Sequence, residues 1–273
     1  MTKTSVVYPI IGALKEAEKL LGEGSWEGSN DKQKEFITNT LTKEFNGLEE
    51  LESISSWKTE DINKFLADRG FSIKIEELKS SEFGIASVLK LILEWLKKGE
   101  NVDFYKYGKT YQGVKLTSGF TCRRNLNNSV FCLDTKSGDK VYLYKVEEEP
   151  SNLENKVKEL SNIGENYEFY DYLIFPKVDL DREEDVRWLL KISYFQKNGM
   201  PWDLTQAIQQ TKFKMDEVGA KVESAFAGAM MMRGIKPIKG YTIDSPFLCW
   251  IERDGLDNPL FIGYITKDSW VEK

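Results

Sequence analysis

The sequence predicts an α+β fold in a single domain, and three observations carry that reading. Apolar residues over the first hundred positions recur mostly at helical spacing. From about residue 101 onward they fall into short, strand-length stretches separated by Gly and Asn turns. No repeat and no low-complexity linker divides the two regions. A chain of 273 residues buries a substantial core. The expected organisation is one domain over 1–273, helical over about 1–100 and β-rich over about 101–273.

The first helix is expected over 10–21, where Ile10, Leu14, Ala17 and Leu21 share a face and Gly22 supplies the stop. A second follows Asn30 and runs from Lys32 to Leu41, capped by Asn30 or Asp31. A third spans 58–69, with Thr59 as the capping candidate and Gly70 as the stop. A fourth is expected over 87–98, where Val88, Leu91, Ile92, Trp95 and Leu96 form an apolar face before Gly99. Strands are then expected at 104–107, 109–120, 129–134 and 140–146, and a further helix at 183–192 on Val186, Leu189 and Leu190. Residues 205–217 read as a strand ending in Asp216-Glu217, and 246–251 and 259–265 as two late apolar strands.

Composition excludes several function classes. Hydrophobic residues at 41% and charged residues at 30% argue against wholesale disorder. A net charge of −6 with interspersed signs leaves no basic footprint for a phosphate backbone, so no nucleic-acid partner is expected. The longest apolar stretch, 85–96, is broken by Lys90 and Glu94, so no membrane span is expected. The apolar run at 6–13 is short and meets Lys15, Glu16 and Glu18, which does not read as a secretory leader. Cys122, Cys132 and Cys249 are odd in number and widely spaced, so free thiols and an intracellular location are expected.

The chain contains no histidine. That removes Ser-His-Asp and Cys-His nucleophiles, the His-containing zinc motifs and the commonest general acid–base residue. Neither a GxGxxG turn after a strand nor a GxxxxGK[ST] loop occurs, and 22–28 has one residue too many for the former. No cofactor and no metal site is expected. The runs 147–149 and 183–185 read as solvated acidic faces, although a carboxylate-based enzyme remains an alternative.

The most informative stretch is 204–266. A strand ends at Glu217, Val218-Gly219 follows, and 220–229 is a run of mostly small residues. Counted from Gly219, one alternate set is Ala220, Val222, Ser224, Phe226 and Gly228, and the other carries Lys221 and Glu223. That alternation suits a half-buried strand. A strand-like loop tethered between strands is the layout of a bait, a segment made to be cut.

This layout resembles the serpins. The likeness lies in the hinge Glu217-Val218-Gly219-Ala220 and in the late strands Ser245-Pro246-Phe247-Leu248 and Leu260-Phe261-Ile262-Gly263. It extends to the hairpin at 131–144, the helix at 153–160 and the strand at 172–180 with its Phe175-Pro176-Lys177. At the other end, Ser5 to Ile11 and Leu20-Leu21-Gly22 resemble the family's second helix, which implies a body without its first helix. The resemblance is strongest over 130–266, intermediate over 1–37 and weakest over 38–129. It implies a serpin-like fold, N-terminal helices with large mixed and antiparallel sheets and an exposed reactive-centre loop.

It also implies a function. A monomeric, non-enzymatic inhibitor would trap a serine protease by loop cleavage and insertion, hinged at Glu217, Val218, Gly219, Ala220 and Val222. The family's spacing puts the cut between Arg233 and Gly234, which selects a trypsin-like protease, or one residue earlier between Met232 and Arg233. Insertion from Gly219 to Arg233 would carry the bound protease about 46 Å at roughly 3.3 Å per residue. The alternative within the same fold is a binding protein that has lost inhibition. Lys221, Val222 and Phe226 depart from the alanine-rich run of inhibitory members.

Overall fold

The computed structural model describes residues 1–43, 47–125, 128–164, 166–197, 199–218 and 239–273. In chain order its elements are β1 (Lys3–Ser5), α1 (Tyr8–Leu21), β2 (Gly24–Glu27) and α2 (Asp31–Phe36), which runs on as a π-helical turn at Ile37–Leu41. Next come β3 (Leu51–Ser56), α3 (Thr59–Asp68), β4 (Gly84–Leu89), β5 (Glu100–Lys106) and β6 (Lys109–Leu116). Then follow β7 (Phe120–Asn125), β8 (Asn128–Asp134), β9 (Lys140–Lys145), α4 (Leu153–Ser161), β10 (Tyr167–Glu168), β11 (Tyr172–Pro176) and β12 (Val178–Glu184). The described chain closes with β13 (Ser193–Gln196), β14 (Pro201–Asp203), β15 (Gln209–Met215), β16 (Gly240–Thr242), β17 (Phe247–Glu252) and β18 (Phe261–Ile265). Residues 1–5, 92–180 and 213–273 form one compact unit, and 6–91 with 181–212 form another.

The first unit is built on a seven-stranded sheet in the order β1-β18-β17-β9-β8-β7-β10, antiparallel throughout. Its interior strand β17 is buried on both faces, which explains its unbroken apolar sequence Phe247-Leu-Cys-Trp-Ile251. On one face α4 sets Leu153, Val157 and Leu160 against Val130, Leu248, Trp250, Ile262 and Tyr264. Asn152 caps α4, accepting a hydrogen bond from the Asn155 amide at 2.8 Å. On the other face Phe131 meets Tyr241 of the second, mixed sheet, ordered β16-β11-β6-β5 with β16 parallel to β11. The late strands are core, as their sequences predict. Phe247, Leu248 and Trp250 are fully buried, and Leu260, Phe261 and Ile262 nearly so.

In the second unit the hairpin-like pair β3–β4 is covered on both faces. Helix α1 lies on the Ser53 and Ser87 side, and Gly12 permits the approach: a Cβ there would fall 2.5 Å from Ser87 Oγ. Helix α3 covers the opposite face through Ile62, Phe65 and Leu66 against Ala86 and Val88. A small sheet β14-β13-β2 completes this unit. Strands β12 and β15 pair with each other.

Several expectations need correction. The helix expected over 87–98 is absent. Residues 84–89 are β4, and beyond it Ile92 and Leu96 are exposed while Val88 and Trp95 are buried. A strand covered by a helix on each face carries apolar residues on both, and Val88 and Leu89 run on into Leu91 and Ile92, which together mimic a buried helix. The helix expected over 183–192 is instead the end of β12 and one 3-10 turn at Arg187–Leu189. Val178 and Leu180 face inward while Asp179 and Asp181 face out, so the period is two. The strand expected over 109–120 is two strands, β6 and β7, in different sheets. Thr59 does not cap α3. Its hydroxyl accepts from the Leu78 amide at 2.9 Å, and the cap position is Lys58 with no side-chain bond. The helices expected over 10–21, 32–41 and 58–69 are present, and Asn30 caps α2 by accepting from the Gln33 amide at 3.0 Å.

The three cysteines are free, as expected. Burial pushes all three thiols up, Cys122 to about 11, so little thiolate exists at neutral pH. In the native protein a disulfide reagent at pH 8 is expected to label these sites slowly, and unfolding to release three reactive thiols. Rapid native labelling would contradict the burial. A second expectation concerns Phe261, which stacks on Phe213 with centroids 4.3 Å apart. Phe261→Ala should lower unfolding free energy by about 3–5 kcal/mol in urea titration.

Candidate functional site

The sequence places function in the stretch after β15, and the structure defines its two anchors. Of the expected hinge, Glu217 and Val218 are described. Gly219, Ala220 and Val222, and the expected cleavage residues Met232, Arg233 and Gly234, lie outside the described residues.

The entry anchor is an ion pair. Glu217 follows β15, and its Oε2 lies 2.6 Å from Lys177 Nζ with both side chains mostly buried. Hydrogen bonding from Lys177 first, then its own backbone and Asn101, holds the Glu217 carboxyl down at about 2, against an ordinary value of 4.5. The backbone is clamped as well. Trp95 Nε1 donates to the Asp216 carbonyl at 2.8 Å, and the Gly99 amide donates to the Glu217 carbonyl at 3.1 Å. Asp216 Oδ1 accepts from the Val218 amide at 2.8 Å. Trp95 is itself fixed edge-on against Phe175, with centroids 6.0 Å apart. Lys177 sits between β11 and β12, its amide bonded to the Gln112 carbonyl and its carbonyl to the Val271 amide. Both partners of the pair therefore stand on fixed backbone.

The exit anchor begins at Lys239. Its amide donates to Asp171 Oδ2 at 2.7 Å and its carbonyl accepts from the Asp171 amide at 2.7 Å. Its ammonium pairs with Glu168 and lies 4.7 Å from the Tyr170 ring centroid. Glu168 also accepts from Arg124 Nη1 at 2.8 Å and from the Tyr170 hydroxyl at 2.9 Å. Lys239 above all, then Tyr170 and Arg124, hold its carboxyl at about 2. Next in the chain, Gly240 packs against Tyr172, and any Cβ would overlap the ring.

The sequence singled out Glu217 and Val218. It also quoted Lys177, though only as part of a strand. It missed Trp95, which was assigned to a helix, and the group Glu168, Asp171, Lys239 and Gly240. A short acidic–aromatic stretch before an isolated Lys-Gly dipeptide is too weak a signal to find such an anchor. Among the described residues, no group of three or more metal-ligating side chains occurs, and no helix is long and apolar enough to cross a membrane. The two acidic anchors are spent on ion pairs and show no raised carboxylate of the kind a general acid needs.

Solved structures similar to the chain identify its architecture. Human thyroxine-binding globulin, solved with its hormone, aligns with a TM-score of 0.60 at 13% identity, over 96% of this chain and 91% of its own. SRPN18 of Anopheles gambiae gives 0.59 at 14%, over 98% and 92%. Serpin48 of the insect Tenebrio molitor, described as a highly specific serpin, gives 0.53 at 14%, over 96% and 90%. The chain has the serpin fold. No family model and no curated protein sequence matches it.

Two outcomes follow. The stabilisation from Glu217 is fully present above its ordinary value of 4.5 and is lost as pH falls through about 2. Trp95 fluorescence should therefore change across pH 4.5 to 2 at a step absent from Glu217→Gln; an identical titration in that variant would contradict the latch. Gly240→Ala should displace Tyr172 and lower the melting temperature, whereas Ala at exposed Lys239 should perturb only the exit anchor.

Proposed function

We propose that the chain is a serpin-type inhibitor that traps a serine protease. The protease attacks the bond after Arg233, with Gly234 as the next residue, and forms an acyl-enzyme. The freed segment from Gly219 then joins the sheet as a strand, carrying the protease with it. The trap is the rate at which insertion distorts the acyl-enzyme before water reaches it. A cut after Arg233 selects a trypsin-like target, and a cut one residue earlier, after Met232, selects a different class.

The observation that carries this reading is the double tether. The segment between Glu217 and Lys239 enters from a clamped hinge and returns into β16 through a second clamp. A cut between two fixed ends releases one new terminus on the hinge side without unfolding either anchor. Among the described residues β15 hydrogen-bonds to β12 alone and β4 to β3 alone, so each carries an unpaired strand edge. Such edges accept an added strand. The alternation of Ala220, Val222 and Ser224 with Lys221 and Glu223 suits a strand with one face inward. The three free thiols support action inside a cell.

A second reading is a serpin-fold binding protein without inhibition, favoured by the bulk of Val222 and Phe226 in the inward-facing set. The two readings separate in one experiment. Incubation with trypsin-like proteases should give a complex that survives denaturing electrophoresis, and cleavage after Arg233 should raise the melting temperature. Ala220→Arg places a charge in the inward register and should convert the inhibitor into a substrate. Cleavage without a stable complex or a thermal shift in the unmodified protein favours the binding reading.

A further inference from the structure

Strand β11 pairs with β6 only as far as Pro176 opposite Gly113, and the chain then turns at Lys177 into β12, which belongs to another sheet. The first half of β6, from Lys109 to Gln112, is left without β11 on that edge. Residues 270–273, beyond β18, take the place. The Val271 carbonyl accepts from the Gln112 amide at 2.9 Å, and the Lys273 amide donates to the Thr110 carbonyl at 3.1 Å. On its other side the segment reaches the start of β12. The Val271 amide donates to the Lys177 carbonyl at 3.0 Å, and Trp270 bridges to Val178. The Lys177 amide in turn donates to the Gln112 carbonyl at 2.9 Å, so both backbone polar groups of this residue are satisfied inside the fork.

Trp270 seats the segment. Its ring is buried, edge-on to Tyr111 with centroids 5.2 Å apart and to Phe104 at 5.8 Å. Its Nε1 is buried with no hydrogen-bond partner among the described residues, so packing holds the ring. The charges of the segment are spent away from the hinge. Glu272 Oε1 lies 2.6 Å from Lys109 Nζ, and Lys273 Nζ lies 2.5 Å from Asp103 Oδ2, both in exposed pairs. At the hinge itself Asp216 Oδ2 faces Lys214 Nζ at 3.7 Å. The route from this segment to the Lys177–Glu217 pair is therefore the backbone of Lys177 and not a charge.

We infer that residues 270–273 are a strap that fixes the backbone of Lys177 and so aims its ammonium at Glu217. A lysine side chain is long and flexible, and its aim depends on where its backbone is held. Val271 and Trp270 are positioning residues, Val271 through one amide and Trp270 by seating the segment. With the strap lifted, the Lys177 carbonyl turns to water and the ammonium loses its fixed origin. The bearing of the strap on protease trapping rests on the reading above, whereas its hold on the ion pair does not.

Hydrogen exchange and the titration of Glu217, both on the full chain, test the strap without a protease. In the unmodified protein the amides of Gln112, Lys177 and Val271 should be protected and should exchange at one common rate. An unprotected Val271 amide overturns the strap. Val271→Pro removes the single donor to Lys177, and Trp270 before it already has the extended backbone that precedes proline, with φ −82° and ψ 141°. In this variant the Lys177 amide should exchange about tenfold faster or more. The Glu217 carboxyl, followed by its NMR shift, should titrate about one pH unit higher, toward its ordinary 4.5. Val271→Ala keeps the amide and should leave both readings as they were. Trp270→Ala should repeat the effect of the proline. Trp270→Phe should behave as the unmodified protein, because a Phe ring packs in the same place without the buried Nε1. An unchanged Glu217 titration in Val271→Pro overturns the strap; if that variant does not fold, an unchanged titration in Trp270→Ala does so. Val271→Ala acting as strongly as Val271→Pro also overturns it, since side-chain packing would then do the positioning. Absence of a protease complex counts against trapping, and the exchange and titration readings alone then decide the strap.

Discussion

The ion pair between Lys177 and Glu217 is the constraint on which the proposed bait depends. Both charges are largely withdrawn from water, a position tolerated only with a close partner and further hydrogen bonds. Each has them. Glu217 gains Asn101, and the chain on either side of it is held by Trp95 and Gly99. Lys177 lies at the joint where β11 leaves the mixed sheet and β12 begins, so the same residue that ends one strand fixes the end of another. A tethered segment needs such a fixed origin, because fraying would otherwise spread into β15.

The second anchor works by different means. Lys239 is exposed, and its ammonium contributes little alone. The geometry comes from the backbone exchange with Asp171 and from the contact of Gly240 with Tyr172. The entry clamp therefore answers to acid, through a carboxylate, while the exit clamp also has a steric part that does not titrate. In the proposed trap both clamps stay in place, and the cut frees the segment on the entry side at Arg233 alone.

How much of this was legible in the sequence depended on how a residue's environment shows itself locally. The late strands were legible because both of their faces are buried, and Phe247 to Ile251 is apolar without a break. The change of composition after Glu217 singled out the expected hinge, of which the structure describes Glu217 and Val218. Strand β4 was misread for the same reason that β17 was found. Both are covered on two faces, but β4 runs into Leu91, Ile92 and Leu96, which extend the apolar pattern to helical length. Ile92 and Leu96 are exposed, and no local rule announces an exposed apolar residue. The partners of Glu217 were illegible in principle, since Trp95 and Lys177 are distant in sequence and only the fold brings them to it.

The sequence has no histidine and no cofactor motif, and the described residues place an ordered entry and exit around one stretch. In the proposed trap the chemistry is supplied by the protease's active site, and the chain's own contribution is mechanical. The most direct measurement is a double-mutant cycle on the hinge latch, with Lys177→Met, Glu217→Gln and the pair compared by urea unfolding at pH 7. A coupling of at least about 1 kcal/mol is predicted, because each single change leaves the other group mostly buried without its partner. Additive effects with no coupling would show that the pair does not hold the hinge, and would contradict the account.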